Sequence, residues 1–169
     1  DPSKNKPGTT RIEMNKGDFT VIGTNNLKTI SDFTDKTNKL ISGRPLTEAD
    51  DKTNNVVIET DLASANNLKV GSSFTIKDTN DNPYTMQVVG IYKSYASIDS
   101  LAANFSFMNV SNQLYTSISF ANTLSGTTDT IKSATYQLSN PAMSKTFVKD
   151  ADKMIDTTTY TVSSNDAVY

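Results

Sequence analysis

The alternation of hydrophobic and polar residues is most regular between residues 43 and 92. The run Val56-Val57-Ile58 is apolar and β-branched, which is typical of a buried strand and too short for a helix. Thr60 or Asp61 then offers a side-chain oxygen that can cap a helix. Apolar residues follow at about one-turn spacing, which predicts a short helix with a single buried stripe: Leu62, Ala65 and Leu68.

A hairpin is predicted after this helix. Gly71 can take a positive φ at little cost and is expected to turn the chain back. Phe74–Ile76 and Tyr84–Tyr92 are rich in β-branched and aromatic residues, and residues 78–83 between them have turn chemistry. The unit is therefore predicted to be strand, short helix and hairpin.

The N-terminal stretch alternates apolar and polar residues in two runs, Thr9–Met14 and Phe19–Gly23, with Asn15-Lys16-Gly17 between them. This pattern predicts a second hairpin with a shared apolar face, formed by Ile12, Met14, Phe19 and Val21. Residues 1–8 contain two prolines and Gly8, and we interpret them as a flexible N-terminal segment.

Apolar residues from Ile30 to Ile41 are spaced irregularly, and the segment is interpreted as an irregular helix that leads into Gly43.

After Tyr92 the pattern predicts helices that alternate with strands. The expected helices are at 98–105, at 117–124 with a stop at Gly126, and after the Asn140-Pro141 start signal. The last helix should bury a stripe of four residues, Met143, Phe147, Ala151 and Ile155. The expected strands are at 113–116, 134–138 and 157–163. The pattern predicts an α+β chain, with mixed β-sheets and short helices.

Composition narrows the classes of function. The formal net charge is −2 and no basic block is present, which argues against a nucleic-acid surface. The chain has no cysteine and no histidine, so thiolate chemistry is excluded and the commonest general base and metal ligand are missing. We therefore predict no catalytic residue, no cofactor site and no metal site.

Two stretches have the residues of an ion or catalytic site, and both have a simpler explanation. The oxygen-rich run Asp78–Asn82 resembles a calcium loop, but Pro83 stands where that loop needs glycine and Val89 where it needs a bidentate glutamate. A polar hairpin turn is expected instead. The acidic residues Glu48, Asp50, Asp51, Glu59 and Asp61 straddle a strand, so a solvated edge plus a helix cap is expected. Arg44 is expected to pair with Glu48 or Asp50.

The segment from Gly43 to Tyr92 also carries a family resemblance. It contains Gly43-Arg44 before an acidic loop, the apolar strand, the Leu-Ala helix, Leu-Lys-Val-Gly at 68–71 and Val-Val-Gly-Ile at 88–91. These motifs resemble the extracytoplasmic core domain of MacB/FtsX-type ABC transporter permeases. In that family the domain is inserted between the first and second transmembrane helices.

The resemblance implies an organisation in two subdomains. A first, porter-like subdomain is built from both ends of the chain, residues 9–93 and 157–169, and a smaller α/β subdomain, residues 94–156, is inserted into it. The inserted region is rich in aromatic and methionine residues, which are favoured at partner surfaces, although core packing is the stronger expectation for each. The candidate partner surface is Phe105, Phe107, Met108 and Tyr115.

The resemblance also implies a function. The chain would be a non-catalytic domain on the extracytoplasmic face of the cell membrane, excised from its flanking helices. It would transmit ATP-driven motion from a cytoplasmic ABC ATPase, in a permease dimer, to an extracytoplasmic accessory protein or peptide substrate. The alternative is a secreted or surface-anchored adhesin-like binding module, which the β-rich pattern and the many Ser, Thr and Asn residues weakly favour.

Overall fold

The computed structural model describes residues 10–11, 19–78, 80–96, 110–128, 131, 134 and 140–163. The chain divides into two compact units, 1–132 and 133–169. The first unit contains a mixed seven-stranded sheet in the order β1-β5-β6-β4-β7-β2, with β3 also paired to β6. The strands are β1 Thr10–Arg11, β2 Thr20–Gly23, β3 Asn38–Gly43, β4 Asn55–Glu59, β5 Ser73–Lys77, β6 Pro83–Ser94 and β7 Gln113–Thr116.

The helices are short. The α-helices are α1 Ser31–Thr34, α2 Thr60–Ala65, α3 Ile118–Ser125 and α4 Ser144–Asp152. Single 3₁₀ turns are at Leu27–Thr29, Glu48–Asp50, Val110–Asn112 and Pro141–Met143. The predicted α+β class, with a mixed sheet and short helices, is confirmed.

β6 is the strand around which the sheet is built. It is 12 residues long and pairs antiparallel with β5 and β3 and parallel with β4. The β5–β6 hairpin closes where predicted, because the Asp78 side chain accepts hydrogen bonds from the backbone N–H groups of Asn80 and Asn82. This is turn chemistry, as expected from the sequence.

Alternating side chains of the central strands build one core on each face of the sheet. Val56 and Ile58 of β4 belong to a cluster that α2 covers with Leu62 and Ala63. Val57, between them, belongs to the opposite cluster. That opposite cluster contains Leu27, Leu46, Tyr92 and Tyr115, with Phe33 packed against it. Both faces of β4 are therefore covered, which explains why its residues are apolar at successive positions. The buried strand predicted from the sequence is confirmed.

The helix after β4 forms as predicted, with two local corrections. The N-cap is Glu59, whose carboxylate accepts from the Asp61 N–H, whereas Thr60 or Asp61 was expected. The buried stripe uses Ala63, while Ala65 is exposed. Both differences follow from a helix that starts directly at the end of the strand.

The predicted N-terminal hairpin is wrong. β1 pairs in parallel with β5, and β2 pairs in parallel with β7, so the two segments stand at opposite ends of the sheet order. An alternating pattern fixes which face of a strand is buried, but it does not identify the neighbouring strand. Residues 12–18, which include Ile12 and Met14, are outside the described part of the chain.

The irregular helix predicted from Ile30 to Ile41 is only one turn long. α1 ends at Thr34, and Leu40 and Ile41 belong to β3. β3 is antiparallel to β6 and has a bulge at Ile41. Leu40 faces Tyr92 and Ser42 faces Ile91, so Ile41 has no partner of its own on β6.

The strand and helix expected at 113–124 are confirmed as β7 and α3. Gly126 ends α3 in the left-handed conformation at φ 70°. β7 pairs with β4 and β2 within the same sheet. The predicted division into 9–93 plus 157–169 and 94–156 stays a prediction, but β7 itself is part of the sheet that the first half builds.

The second unit contains α4. The Asn140-Pro141 start is confirmed, because the Asn140 side chain accepts from the Ala142 N–H and a 3₁₀ turn leads into the helix. The expected buried stripe is not formed, since Met143 and Phe147 are exposed. The strand predicted at 157–163 is also wrong: a turn around Asp156 is followed by residues without regular structure. The helix expected at 98–105 and most of the strand expected at 134–138 lie outside the described residues.

Candidate functional site

Of the four residues predicted as a partner surface, only Tyr115 lies in the described part of the chain. Tyr115 is fully buried, with its ring 5.4 Å from those of both Phe33 and Tyr92 in edge-to-face contacts. Burial raises the pKa of its phenol to about 12, and Asn38 donates a hydrogen bond to the phenol oxygen at 3.3 Å. Tyr115 is therefore a core residue, because β7 lies inside the sheet. Phe105, Phe107 and Met108 lie outside the described residues.

Arg44 and Asp50 form the pair that the sequence predicted. The guanidinium donates two parallel hydrogen bonds, Nη1 to Oδ2 at 2.8 Å and Nη2 to Oδ1 at 2.7 Å. The carboxylate side chain is only 2% exposed, whereas that of Arg44 is 51% exposed. Bidentate geometry with one buried partner makes this pair stronger than an ordinary surface ion pair.

The Asp50 carboxylate accepts hydrogen bonds from two further residues. Asn55 Nδ2 donates to Oδ1 at 2.8 Å, and the backbone N–H of Thr47 donates to Oδ2 at 2.9 Å. The hydrogen bonds from Arg44, with those from Thr47 and Asn55, hold the pKa of Asp50 well below its usual range despite the cost of burial. A carboxylate that is ionised near neutral pH and fully paired orders a loop and is unsuited to proton transfer.

Two other acidic candidates, Glu59 and Asp78, also have structural partners. Glu59 is 3% exposed and accepts from Thr60 Oγ1 and from the Ser94 N–H, so it ties the start of α2 to the end of β6. Asp78 accepts from the hairpin turn and from Asn82 Nδ2, and those hydrogen bonds lower its pKa. Among the described residues, no group of three or more acidic side chains is placed to hold a metal ion.

A groove lies beside α2 on the described surface. It has a volume of about 510 Å³ and lies between α2, β3 and β6. Both apolar and polar side chains line it. The lining residues are Ile41, Thr60, Ala63, Ser64, Asn67, Leu68, Lys69 and Ile91.

Lysines lie at and beside this groove. Lys69 lines it, and Lys39 and Lys93 are directly opposite each other on β3 and β6. Side chains alternate along a strand, so Lys93 is on the same face as Ile91, which lines the groove. All three lysines are exposed, and none makes an ion pair with an acidic side chain in the described ranges.

The groove was not predicted from the sequence, because Ile41 was assigned to a helix. The residues Asn38-Lys39-Leu40-Ile41 do not alternate, since two polar residues are followed by two apolar ones, so the local pattern carries no signal for an outward-facing Ile41 on a strand. The bulge at Ile41 is not visible in the sequence.

The comparison with known families decides the relationship of this chain. The family described as the MacB-like periplasmic core domain matches residues 4–156. The chain belongs to this family. The predicted resemblance is therefore confirmed, and the adhesin-like alternative receives no support.

A curated relative and a solved structure accompany this match. An uncharacterized ABC transporter permease of Bacillus subtilis, YclI, is 38% identical over 162 residues, which is 93% of this chain and 33% of that protein. The chain thus spans about a third of the length of the relative. The crystal structure of the periplasmic region of MacB from Actinobacillus actinomycetemcomitans is 18% identical, with a TM-score of 0.44 over 72% of this chain and 52% of that one. No helix in the described ranges is long and apolar enough to cross a membrane.

In this MacB-like core domain, two of the motifs that carried the resemblance, Gly43-Arg44 and Val88–Ile91, lie in contact. Gly43 and Gly90 are opposite each other on β3 and β6, and Gly43 has φ +73°. A Cβ at Gly43 would lie 2.2 Å from the Val89 carbonyl oxygen, and one at Gly90 would lie 2.4 Å from that of Arg44. The two glycines allow the backbones of β3 and β6 to approach closely where β3 ends. The next residue, Arg44, then lies within hydrogen-bonding distance of Asp50.

Proposed function

We propose that this chain is the non-catalytic extracytoplasmic domain of an ABC transporter permease, and that it transmits ATP-driven motion to a protein or peptide outside the membrane. Membership in the family of MacB-like periplasmic core domains is the observation that carries the proposal. The relative described as an ABC transporter permease supports it, because the alignment covers nearly all of this chain and leaves two thirds of that protein for other parts.

The construction of the first unit suits a part that moves as one body. Its central strands are buried on both faces, with one apolar cluster on each side. Glu59 joins β4, α2 and the end of β6, because its buried carboxylate accepts hydrogen bonds from Thr60, Asp61 and Ser94. Close-packed interiors resist continuous deformation, so a displacement at one end is passed on as rigid-body motion.

The partners follow from this role. A cytoplasmic ABC ATPase would act on the membrane helices of the full permease, two permeases would form a dimer, and the moving domain would act on an accessory protein or a peptide substrate. The two carboxylates that are buried in the described part of the chain, those of Asp50 and Glu59, are hydrogen-bonded to neighbouring residues, which favours a structural role for them.

The proposal can be tested by measuring distances in the full permease, reconstituted in nanodiscs with its ATPase. The chain has no cysteine of its own, so single cysteines can carry spin labels in an otherwise cysteine-free permease. Asp51→Cys and Ser125→Cys are exposed positions of the first unit. With Asp51→Cys in both copies of the dimer, the distance between copies should differ between the nucleotide-free and ATP-bound states.

A second pair of labels tests whether the motion is that of a rigid body. Asp51→Cys and Ser125→Cys in one chain should keep the same separation in both nucleotide states. An ATPase variant unable to bind ATP is the control and should abolish the change between copies. A distance between copies that is the same in every nucleotide state would contradict the proposal.

A further inference from the structure

β3 lies at an edge of the sheet that the described residues form, and no described strand pairs with its outer side. Among the described strands it pairs only with β6, and residues 39 and 41–43 are exposed. The Tyr95 N–H donates to the Thr37 carbonyl across this pair. Because hydrogen-bonded pairs alternate along antiparallel strands, Lys39 exchanges bonds with Lys93, and the N–H and C=O groups of Leu40 point to the outer side.

The side chains around this edge are basic and apolar. Lys39 and Lys93 bring two positive charges to one face, and such a like-charge pair directly opposite is unfavourable by itself. Lys93 Nζ also lies 5.6 Å from the centre of the Tyr95 ring. Ile41 and Tyr95 are more than half exposed. The edge therefore combines uncompensated positive charge with apolar surface, in a chain whose net charge is −2.

We infer that β3 is a docking edge for an extended acidic segment of an extracytoplasmic partner protein, which pairs with β3 as an added strand. Backbone hydrogen bonds to the outer edge would give affinity. A carboxylate opposite Lys39 would neutralise the Lys39–Lys93 pair, and an apolar side chain two residues further along would cover Ile41 beside the groove. This inference rests on the proposed function, since it names the class of partner on which the domain acts.

Charge and hydrogen bonding favour this occupant over two others. A second copy of the chain would bring its own Lys39 to the same edge, and edge lysines are a known means of preventing such pairing. An anionic lipid would match the lysines, but it cannot supply the alternating donors and acceptors that the outer backbone of β3 requires. An acidic strand satisfies both the charges and the backbone groups.

The test uses the whole chain, labelled with ¹⁵N, and a short blocked peptide in which threonine alternates with glutamate and one glutamate is replaced by valine. Amide shifts on titration should concentrate in residues 37–43 and 90–95 and give a Kd. A peptide with glutamine for glutamate should bind roughly tenfold more weakly or worse, and added salt should weaken the parent peptide. A peptide N-methylated on the backbone groups that face β3 should lose binding, although its side chains are unchanged.

Matched variants assign the charges. The double variant K39Q/K93Q should weaken the parent peptide roughly tenfold, because two exposed lysines are lost from the edge. The double variant K145Q/K149Q removes the same charge from exposed positions of α4 in the second unit and should leave the Kd unchanged. The dispersion of the amide spectrum shows that each variant is folded.

Three results would overturn the inference. They are no binding of the parent peptide, equal binding of the glutamine or N-methylated peptide, and shifts that lie away from β3. Sedimentation with phosphatidylglycerol vesicles but not phosphatidylcholine vesicles, lost in K39Q/K93Q, would identify a lipid surface if the peptide does not bind. None of these results bears on the spin-label distances, so failure of the docking edge is distinguishable from failure of the proposed function.

Discussion

Two units of the sheet each consist of a strand followed directly by a helix, and the two helices differ in how deeply their side chains are buried. β4 runs into α2 and β7 runs into α3, and the two strands are antiparallel neighbours in which Ile58 faces Leu114. α2 buries Leu62 and Ala63 in the core, whereas none of the residues of α3 is fully buried. α3 reaches the same cluster only with partly buried side chains, Phe120 and Leu124.

The difference follows from position in the sheet. β4 lies between β6 and β7, while β7 lies next to the terminal strand β2. A helix that covers the middle of a sheet is surrounded by apolar neighbours, and one near the end has water on one side. The same local sequence plan therefore yields different contributions to stability.

The largest expected effect separates the two helices directly. Leu62→Ala should lower the free energy of unfolding by about 2–4 kcal/mol, because it leaves a cavity under α2. Leu124→Ala in α3 should cost roughly half as much, since that side chain is only partly buried. Urea unfolding of both variants gives the two values. Equal losses would show that α3 is as deeply packed as α2.

A substitution in the loop before β4 should lower the stability of the β4–α2 unit in a pH-dependent way. Asp50→Asn removes the charge that Arg44 pairs with and should cost about 1–3 kcal/mol near neutral pH. The pKa of Asp50 is lowered in the folded state, so its stabilisation is complete above the unfolded carboxyl pKa of about 3.9 and is lost as the pH falls.

The matched control for this prediction is Asp51→Asn, since Asp51 is the exposed neighbour. In urea midpoints measured from neutral pH down to about pH 3, the difference between the parent chain and Asp50→Asn should be constant near neutral pH and begin to narrow below about pH 3.9, because there the unfolded chain takes up a proton while folded Asp50 keeps its charge. A constant difference over the whole range would contradict the role assigned to the Arg44 pair.

The N-cap of α3 should have an intermediate effect. Ser117 is 2% exposed, and its hydroxyl accepts from the Phe120 N–H at 3.2 Å. Ser117→Ala should cost about 1 kcal/mol in urea unfolding. Ser119→Ala, at a partly buried position of the same helix, is the comparison. Ser119 accepts a hydrogen bond from the Lys52 N–H, and its substitution should lower the free energy of unfolding by less than that of Ser117. A larger loss for Ser119→Ala would show that this link to the β4 loop matters more than the cap.

The smallest effects concern the ends of the two helices, which are alike. Asn67 with φ 54° and Gly126 with φ 70° are both left-handed. In each case the next residue closes a wide turn, Leu68 N–H to Ala63 O at 2.8 Å and Thr127 N–H to Asn122 O at 2.9 Å. Asn67→Ala and Gly126→Ala should each cost about 1 kcal/mol or less, through backbone strain.

Gly71 provides the control for backbone strain alone. Its φ is +90°, as expected for the turn into β5, and no atom lies within 4 Å of an added Cβ. Gly71→Val should therefore cost about 1 kcal/mol without any steric clash. An unchanged melting temperature would show that the loop relaxes to a negative φ.

Much of this protein could be predicted from local sequence. The run Val56–Ile58 specified a strand buried on both faces, and the turn chemistry around Asp78 specified the β5–β6 hairpin. Gly126 specified the end of α3. These features depend on the period of side chains and on backbone freedom, which a few neighbouring residues determine by themselves.

Tertiary structure alone decided which strands are neighbours and which side chains are exposed. β1 and β2 alternate like the arms of a hairpin, yet each pairs with a distant strand. Core packing, the stronger expectation for Tyr115, is confirmed, but only the fold shows that its strand lies within the sheet and that its ring packs against Phe33 and Tyr92. The groove exists because the fold brings Ile41 of β3 beside α2, which lies about twenty residues further along the chain. Pairing between strands is a long-range choice made by packing, and the alternation of residues within one strand is the same whichever neighbour it has.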